Sequence, residues 1–107
     1  MEKPLKPREI DQLIHERVRL AIVSTLAVVP EMSFNELKRS LQVTDGNLSV
    51  HARTLEEAGY IKIKKSFRGR KPLTTMQLSK KGRKAFREYL GMLKEIIDRG
   101  KEGQGEK

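Results

Sequence analysis

Two helix-start signals stand close together, at Ser33 and Thr44, and the chain between them has room only for a short helix and a tight turn. Ser33 is a good N-cap, Glu36 three residues later completes a capping box, and Met32 with Leu37 is placed as a hydrophobic staple. Such a cap is worth about 1 kcal/mol. Thr44 repeats the signal, with Val43 and Leu48 as its staple pair. The first of these helices is expected to end near Ser40, and Leu41-Gln42-Val43 forms the turn. Two helices therefore meet across a tight connection, and this unit anchors the reading of everything on either side.

Upstream, Ile10, Leu13, Ile14, Val18, Ala21, Ile22 and Leu26 recur at three- and four-residue steps, which predicts one amphipathic helix from Arg8 to Val28. Pro30 ends it, because proline lacks an amide hydrogen and disfavours helix in the residue before it. On the helix that Thr44 opens, Leu48, Ala52 and Leu55 face inward with His51 at the margin, while Gly46, Val50, Arg53 and Glu57 face outward, flanked by Asn47, Ser49 and Thr54. Gly59 suits the left-handed residue that closes a helix. The period then switches to two. Ile61 and Ile63 alternate with Tyr60, Lys62 and Lys64, the cationic stretch Ser66 to Pro72 reads as a turn, and Leu73 to Leu78 alternates again, so the pair predicts a two-stranded hairpin. Ser79 caps a last helix whose apolar residues Ala85, Phe86, Tyr89, Leu90, Leu93, Ile96 and Ile97 cover more of its circumference than one core contact needs. The expected organisation is a flexible arm over 1–8, one domain over 9–97, and an unstructured glycine-containing tail over 98–107.

The charge is as localised as the caps. Eleven lysines and arginines and no acid lie between Ile61 and Arg87, more than the whole net charge of +9. A field concentrated on one stretch suits a polyanion, because neutralised phosphates release counterions. At 107 residues there is room for one domain. The absence of cysteine excludes disulfides and thiol chemistry and fits a reducing compartment, so a cytoplasmic protein is expected. The apolar run Leu20 to Val29 is far shorter than the roughly 20 residues of a membrane span, and the basic, proline-broken start does not resemble a secretory signal, so no membrane partner is expected.

Helix, short helix, tight turn, helix, strand, cationic loop, strand, helix is the order of a winged helix-turn-helix, a mainly α fold with a small β-hairpin. Thr44-Asp45-Gly46-Asn47-Leu48-Ser49-Val50-His51, followed by Leu55-Glu56-Glu57-Ala58-Gly59-Tyr60-Ile61, resembles the recognition helix and first wing strand of small prokaryotic transcriptional regulators of the MarR/ArsR-like class. His15-Glu16 with Arg19-Leu20 and Ile22 resembles that class's first helix. Arg68-Gly69-Arg70 with Pro72, Thr74-Thr75 and Leu78-Ser79 to Gly82-Arg83 resembles its wing and the start of its last helix. Met76 departs from the pattern, since relatives tend to carry an aromatic residue there.

The resemblance implies a homodimeric, sequence-specific regulator of transcription, joined through first and last helices. Its recognition helix, about 44–58, would enter the major groove of double-stranded DNA, and its wing, about 66–72, would lie on the backbone or in the minor groove. The residue types agree. Asn47 suits bidentate pairing with adenine, Arg53 suits guanine or phosphate, and Val50 suits a thymine methyl, each good pairing being worth about 1–3 kcal/mol of discrimination. Gly46 in the first turn of a helix costs about 1 kcal/mol relative to alanine and asks for a reason such as close approach to DNA. Thr44, Ser49 and Thr54 complete the helix's candidate contacts; Arg68, Arg70 and Lys71 supply those of the wing tip, with Lys62, Lys64 and Lys65 nearer phosphates. Ile10, Leu13, Ile14, Tyr89, Leu90, Leu93, Ile96 and Ile97 are the candidate dimer interface.

Competing functions find less support in the residues. His15 and His51 are the only histidines and have no ligand spacing, so no metal is expected. No serine has a histidine and carboxylate arranged around it and no phosphate-binding glycine loop exists, so neither catalysis nor a cofactor is expected. A small-molecule effector pocket between first and last helices is the alternative to a dimer interface there and has no specific residue in its favour. The alternative function is a winged-helix module that docks on another protein, which would need the apolar surface and ignore the wing arginines. RNA binding would call for exposed aromatics, and Phe67 is the one candidate on the wing.

Overall fold

The computed structural model describes residues 3–105, and the ends of the expected arm and tail, at 1–2 and 106–107, lie outside the described residues. Among the described residues four α-helices and three strands follow in the order α1 (Arg17–Val28), β1 (Met32–Ser33), α2 (Phe34–Leu41), α3 (Asp45–Glu57), β2 (Ile61–Arg68), β3 (Lys71–Leu78) and α4 (Lys80–Gly105). The antiparallel sheet has the order β1-β3-β2.

The first helix begins later than the apolar stripe predicts. Pro7–Glu9 form a single 3-10 turn, and the chain then runs irregularly to Glu16 before α1 starts. Two acids cause the delay by offering the backbone other partners. Asp11 Oδ1 accepts from the amides of Leu13 (2.9 Å) and Ile14 (3.1 Å), and Glu16 Oε1 accepts from Val18 (3.0 Å) and Arg19 (2.9 Å) as the N-cap of α1. The stripe was still a burial signal: Ile14 is fully buried, and Ile10 and Leu13 pack half-buried against the core. Leu5 does so too, which ties part of the expected arm to the domain.

The two predicted caps are formed. Ser33 Oγ accepts from Glu36 N (3.1 Å) while Glu36 Oε1 accepts from Ser33 N (3.0 Å), and Thr44 Oγ1 accepts from Asn47 N (3.1 Å). Between them α2 ends in a Schellman pattern, Gln42 N to Arg39 O and Val43 N to Lys38 O, with Gln42 left-handed at φ 55°. Gly59, at φ 82°, closes α3 in the same way, with Gly59 N on Glu56 O and Tyr60 N on Leu55 O.

Three further differences concern the sheet and the last helix. Met32 and Ser33 pair with Met76 and Thr75, adding an edge strand to the hairpin. The stretch from Ser66 to Pro72 is mostly strand, since Ser66, Phe67 and Arg68 pair with Leu73, Pro72 and Lys71, and only Gly69 and Arg70 turn. Gly69 has φ 65°, the conformation that the first central residue of a type II′ hairpin requires. The helix α4 does not stop at Ile97 but continues through the glycine-containing segment to Gly105, because extending a formed helix avoids the nucleation cost. Its 26 residues span about 39 Å and give the molecule a long dimension of 63 Å.

The core joins Ile22, Val23 and Leu26 of α1 with Leu37, Leu48, Leu55, Ile61 and Met76, so Met76 fills its place as an aliphatic core residue. At the root of the wing, Ser79 Oγ donates toward the carbonyls of Gly59 (2.5 Å) and Tyr60 (3.0 Å) and accepts from Gly82 N (3.0 Å). A Cβ on Gly82 would fall 2.1 Å from the Tyr60 carbonyl oxygen, so glycine is what lets α4 start against the sheet.

Candidate nucleic-acid interface

The inward side of α3 is Leu48, Ala52 and Leu55, all buried, which forces the opposite side into solvent. There Gly46, Asn47, Ser49, Val50 and Arg53 are exposed, Val50 by 63%. A Cβ on Gly46 would meet nothing within 4 Å, so packing gives no reason for the glycine. Lys38 Nζ lies 2.8 Å from Asp45 Oδ1, and this cation from α2 offsets the acid at the start of α3. Thr54 is half-buried, and its hydroxyl donates to Val50 O (3.1 Å), back onto the helix.

Arg19 of α1, braced by the irregular segment before it, holds α3 from behind. Arg19 Nε donates to Leu13 O (2.6 Å), and Arg19 Nη1 is 3.0 Å from His51 Nδ1. A guanidinium only donates, so the imidazole nitrogen accepts. Glu16 Oε1 is 3.5 Å from the same nitrogen. Burial pushes the Glu16 carboxyl up, but the amides of Arg19 and Val18, with His51 and Arg19 nearby, bring it below the ordinary carboxylate range. Sequence reasoning missed this anchor, because its partners are 32 positions apart.

In the hairpin, residues directly opposite point to the same face. Ile61, Ile63, Lys65 and Phe67, opposite Leu78, Met76, Thr74 and Pro72, form the face turned to α3; Lys62, Lys64 and Arg68 belong to the other. Register divides the three lysines expected nearer phosphates: Lys62 and Lys64 are exposed on the reverse of the sheet from α3. Lys65 stands on the side of α3, lining an open cleft of about 630 Å³ with Ser49, Arg53 and Glu56 of α3 and Phe34 of α2. Arg70 sits in the turn itself, with Arg68 and Lys71 paired at its base. A second hollow of about 390 Å³ lies between α1 and the α2–α3 turn and places Arg17 beside Thr44 and Asn47. Arg17 had no distinguishing signal in the sequence.

The candidate dimer residues are divided. Ile14 and Tyr89 are buried within the chain, and the Tyr89 hydroxyl is 2.7 Å from His15 Nδ1, so neither is free for a partner. Ile10, Leu13 and Leu93 are half-buried against the core, whereas Leu90, Ile96 and Ile97 of α4 are exposed by 46%, 43% and 54%. Met92, buried against the core, is a contact of α4 that the apolar pattern did not single out. Among the described residues no group of acids and histidines converges as a metal site, and no helix is long and apolar enough to cross a membrane.

A helix-turn-helix whose second helix presents a small polar face beside a cationic two-stranded hairpin defines the winged helix-turn-helix class. The chain belongs to the winged helix DNA-binding domain family, whose model matches residues 18–97. It is 37% identical over 79 residues to an uncharacterized protein of Methanocaldococcus jannaschii, covering 74% of this chain and 86% of that one. Its fold matches a transcriptional regulator homologue of Pyrococcus horikoshii OT3 with a TM-score of 0.78 and 31% identity over 82% of this chain and 87% of the other. A MarR-family protein of Porphyromonas gingivalis W83 shares the fold with a TM-score of 0.67, 23% identity, and coverage of 94% and 98%.

Proposed function

We propose that this chain is a sequence-specific double-stranded DNA-binding regulator of transcription that works as a homodimer. The observation that carries the proposal is the shared cleft: Ser49 and Arg53 of α3 and Lys65 of the hairpin line one hollow, so helix and wing address one duplex together. α3 fits the major groove, with Asn47, Val50 and Arg53 available to base edges and Gly46 allowing its first turn to approach closely. Arg70 on its narrow turn reaches the backbone or the minor groove, and Arg17 beside Thr44 and Asn47 reaches a phosphate at the other end of α3. The homologous regulator fold supports the regulatory role. Dimerisation falls to Leu90, Ile96 and Ile97, the apolar residues of α4 that the monomer leaves uncovered.

Selection from randomised duplexes tests the proposal. It should return an inverted repeat with half-sites about 34–36 Å apart, one helical turn. Affinity for the selected site should fall roughly a thousand- to hundred-thousandfold between 50 and 200 mM salt, as for about 6–10 phosphate contacts. No enrichment, or an affinity indifferent to salt, would refute it.

A further inference from the structure

Phe67 is 71% exposed in a hairpin whose other tip residues are largely cationic. Its register opposite Pro72 puts it on the face turned to α3, next in line after Ile63 and Lys65, which line the cleft. At about 3.3 Å per residue, Phe67 lies roughly 13 Å along the strand from Ile63, and the turn at Gly69 roughly 20 Å. On a duplex with a turn of about 34 Å, the minor groove is centred half a turn, roughly 17 Å, from the middle of the major groove. That groove is about 6 Å wide, so its near wall stands roughly 14 Å away. Were the hairpin to run along the duplex from an α3 seated in the major groove, these spans would bring the ring toward the sugar ridge between the grooves and carry Arg70 beyond it.

Resting on the DNA-binding reading above, we infer that Phe67 is an apolar contact to the minor-groove wall, packing its ring on the deoxyribose carbons of one strand. The surrounding charge selects the occupant. Lys65 on the same face, Arg70 in the turn, and Arg68 with Lys71 on the reverse face all lie within four residues of the ring, a cationic surround that suits the phosphates flanking the sugars. The ring offers phosphate nothing, but it suits the carbon face of the sugar between them. A ribose at the same place would put a 2′-hydroxyl in the groove wall, so the contact favours DNA over RNA.

Phe67→Ala, Phe67→Leu and the wild type, bound to the selected duplex between 50 and 200 mM salt, test the inference. Phe67→Ala should bind on the order of tenfold more weakly at every salt concentration with an unchanged salt slope, since the loss is apolar area and not charge. Phe67→Leu should recover most of the loss, and both variants should melt with the wild type. Single ribonucleotides placed along the half-site should weaken the wild type at one or two positions and leave Phe67→Ala indifferent there. Unchanged affinity of Phe67→Ala, a loss that flattens the salt slope, a lowered melting temperature, or ribonucleotide effects identical in the two proteins would each overturn the contact. Failure of the wild type to bind any duplex would instead remove the DNA-binding reading on which the contact rests.

Discussion

Gly46→Ala should make the free protein more stable and the DNA complex weaker. Gly46 lies in the first turn of α3 with a backbone that L residues adopt, and a Cβ there meets no atom within 4 Å. Alanine therefore brings no clash, and it removes backbone freedom from the unfolded chain. The gain is about 0.5–1 kcal/mol, which raises the melting temperature of a domain of this size by roughly 2–8 °C. In the complex, the added methyl occupies the space through which the helix start approaches the duplex. Overpacking a formed interface costs about 1–3 kcal/mol, roughly a 5- to 150-fold loss of affinity. Calorimetric melting of the free protein and fluorescence anisotropy on the selected duplex measure the two effects separately. An alanine variant that is more stable and binds as tightly as the wild type would refute the close approach of this turn to DNA. A less stable variant would show that the open space beside Gly46 is not open in solution.

Other perturbations separate the remaining roles. Arg70→Ala should weaken binding to all duplexes and reduce the salt slope by about one, whereas Asn47→Ala should mainly relax base preference at one position; equal, sequence-blind losses would remove the base-reading role of Asn47. Ile97→Asp, on the exposed side of α4, should yield folded monomers by sedimentation, and a dimer unchanged by it would place the interface elsewhere. The Tyr60 hydroxyl donates to Asp11 Oδ2 (2.6 Å), and burial first, then that bond, pushes its pKa up from 10.0 to about 12. Between those values the unfolded chain gives up its proton first, so stability should fall as the pH rises from 10 toward 12, by up to about 2–3 kcal/mol at roughly 1.4 kcal/mol per tenfold. Tyr60→Phe should lose most of that slope, leaving the smaller contribution of Tyr89, whose burial raises its pKa in the same direction. Denaturant melts at pH 9 and 11 decide it, and equal pH slopes in the two proteins would contradict the raised pKa that burial and the Asp11 bond together give Tyr60.

The helix-turn-helix was legible because its determinants are local: Ser33 and Glu36 cap each other, Thr44 caps Asn47, and the turn between them is three residues long. The strand was legible through Lys64, where apolar and basic residues alternate, and became illegible at Lys65, where both faces turn polar and periodicity no longer separates strand from loop. The start of α1 was hidden because Asp11 and Glu16 stop the helix from inside an apolar stripe that continues through them. β1 is two residues defined by a partner more than forty positions away, and the Arg19–His51 contact is equally non-local. The outward residues of α3 could be named in advance because burying Leu48, Ala52 and Leu55 leaves them no other place. Which of the wing lysines shares their cleft depended on register, which the sequence alone left open among Lys62, Lys64 and Lys65.

The claim that α3 and the hairpin meet one duplex at once can be measured directly, since the chain has no cysteine of its own to compete for a label. Ser49→Cys and Lys71→Cys, each carrying a tethered hydroxyl-radical source, would be bound in turn to the same selected site. The two cleavage patterns should fall on neighbouring grooves of one half-site, about five base pairs apart, half of a 10–10.5 base-pair turn. Cleavage from one position only, or patterns scattered without a fixed offset, would contradict the account.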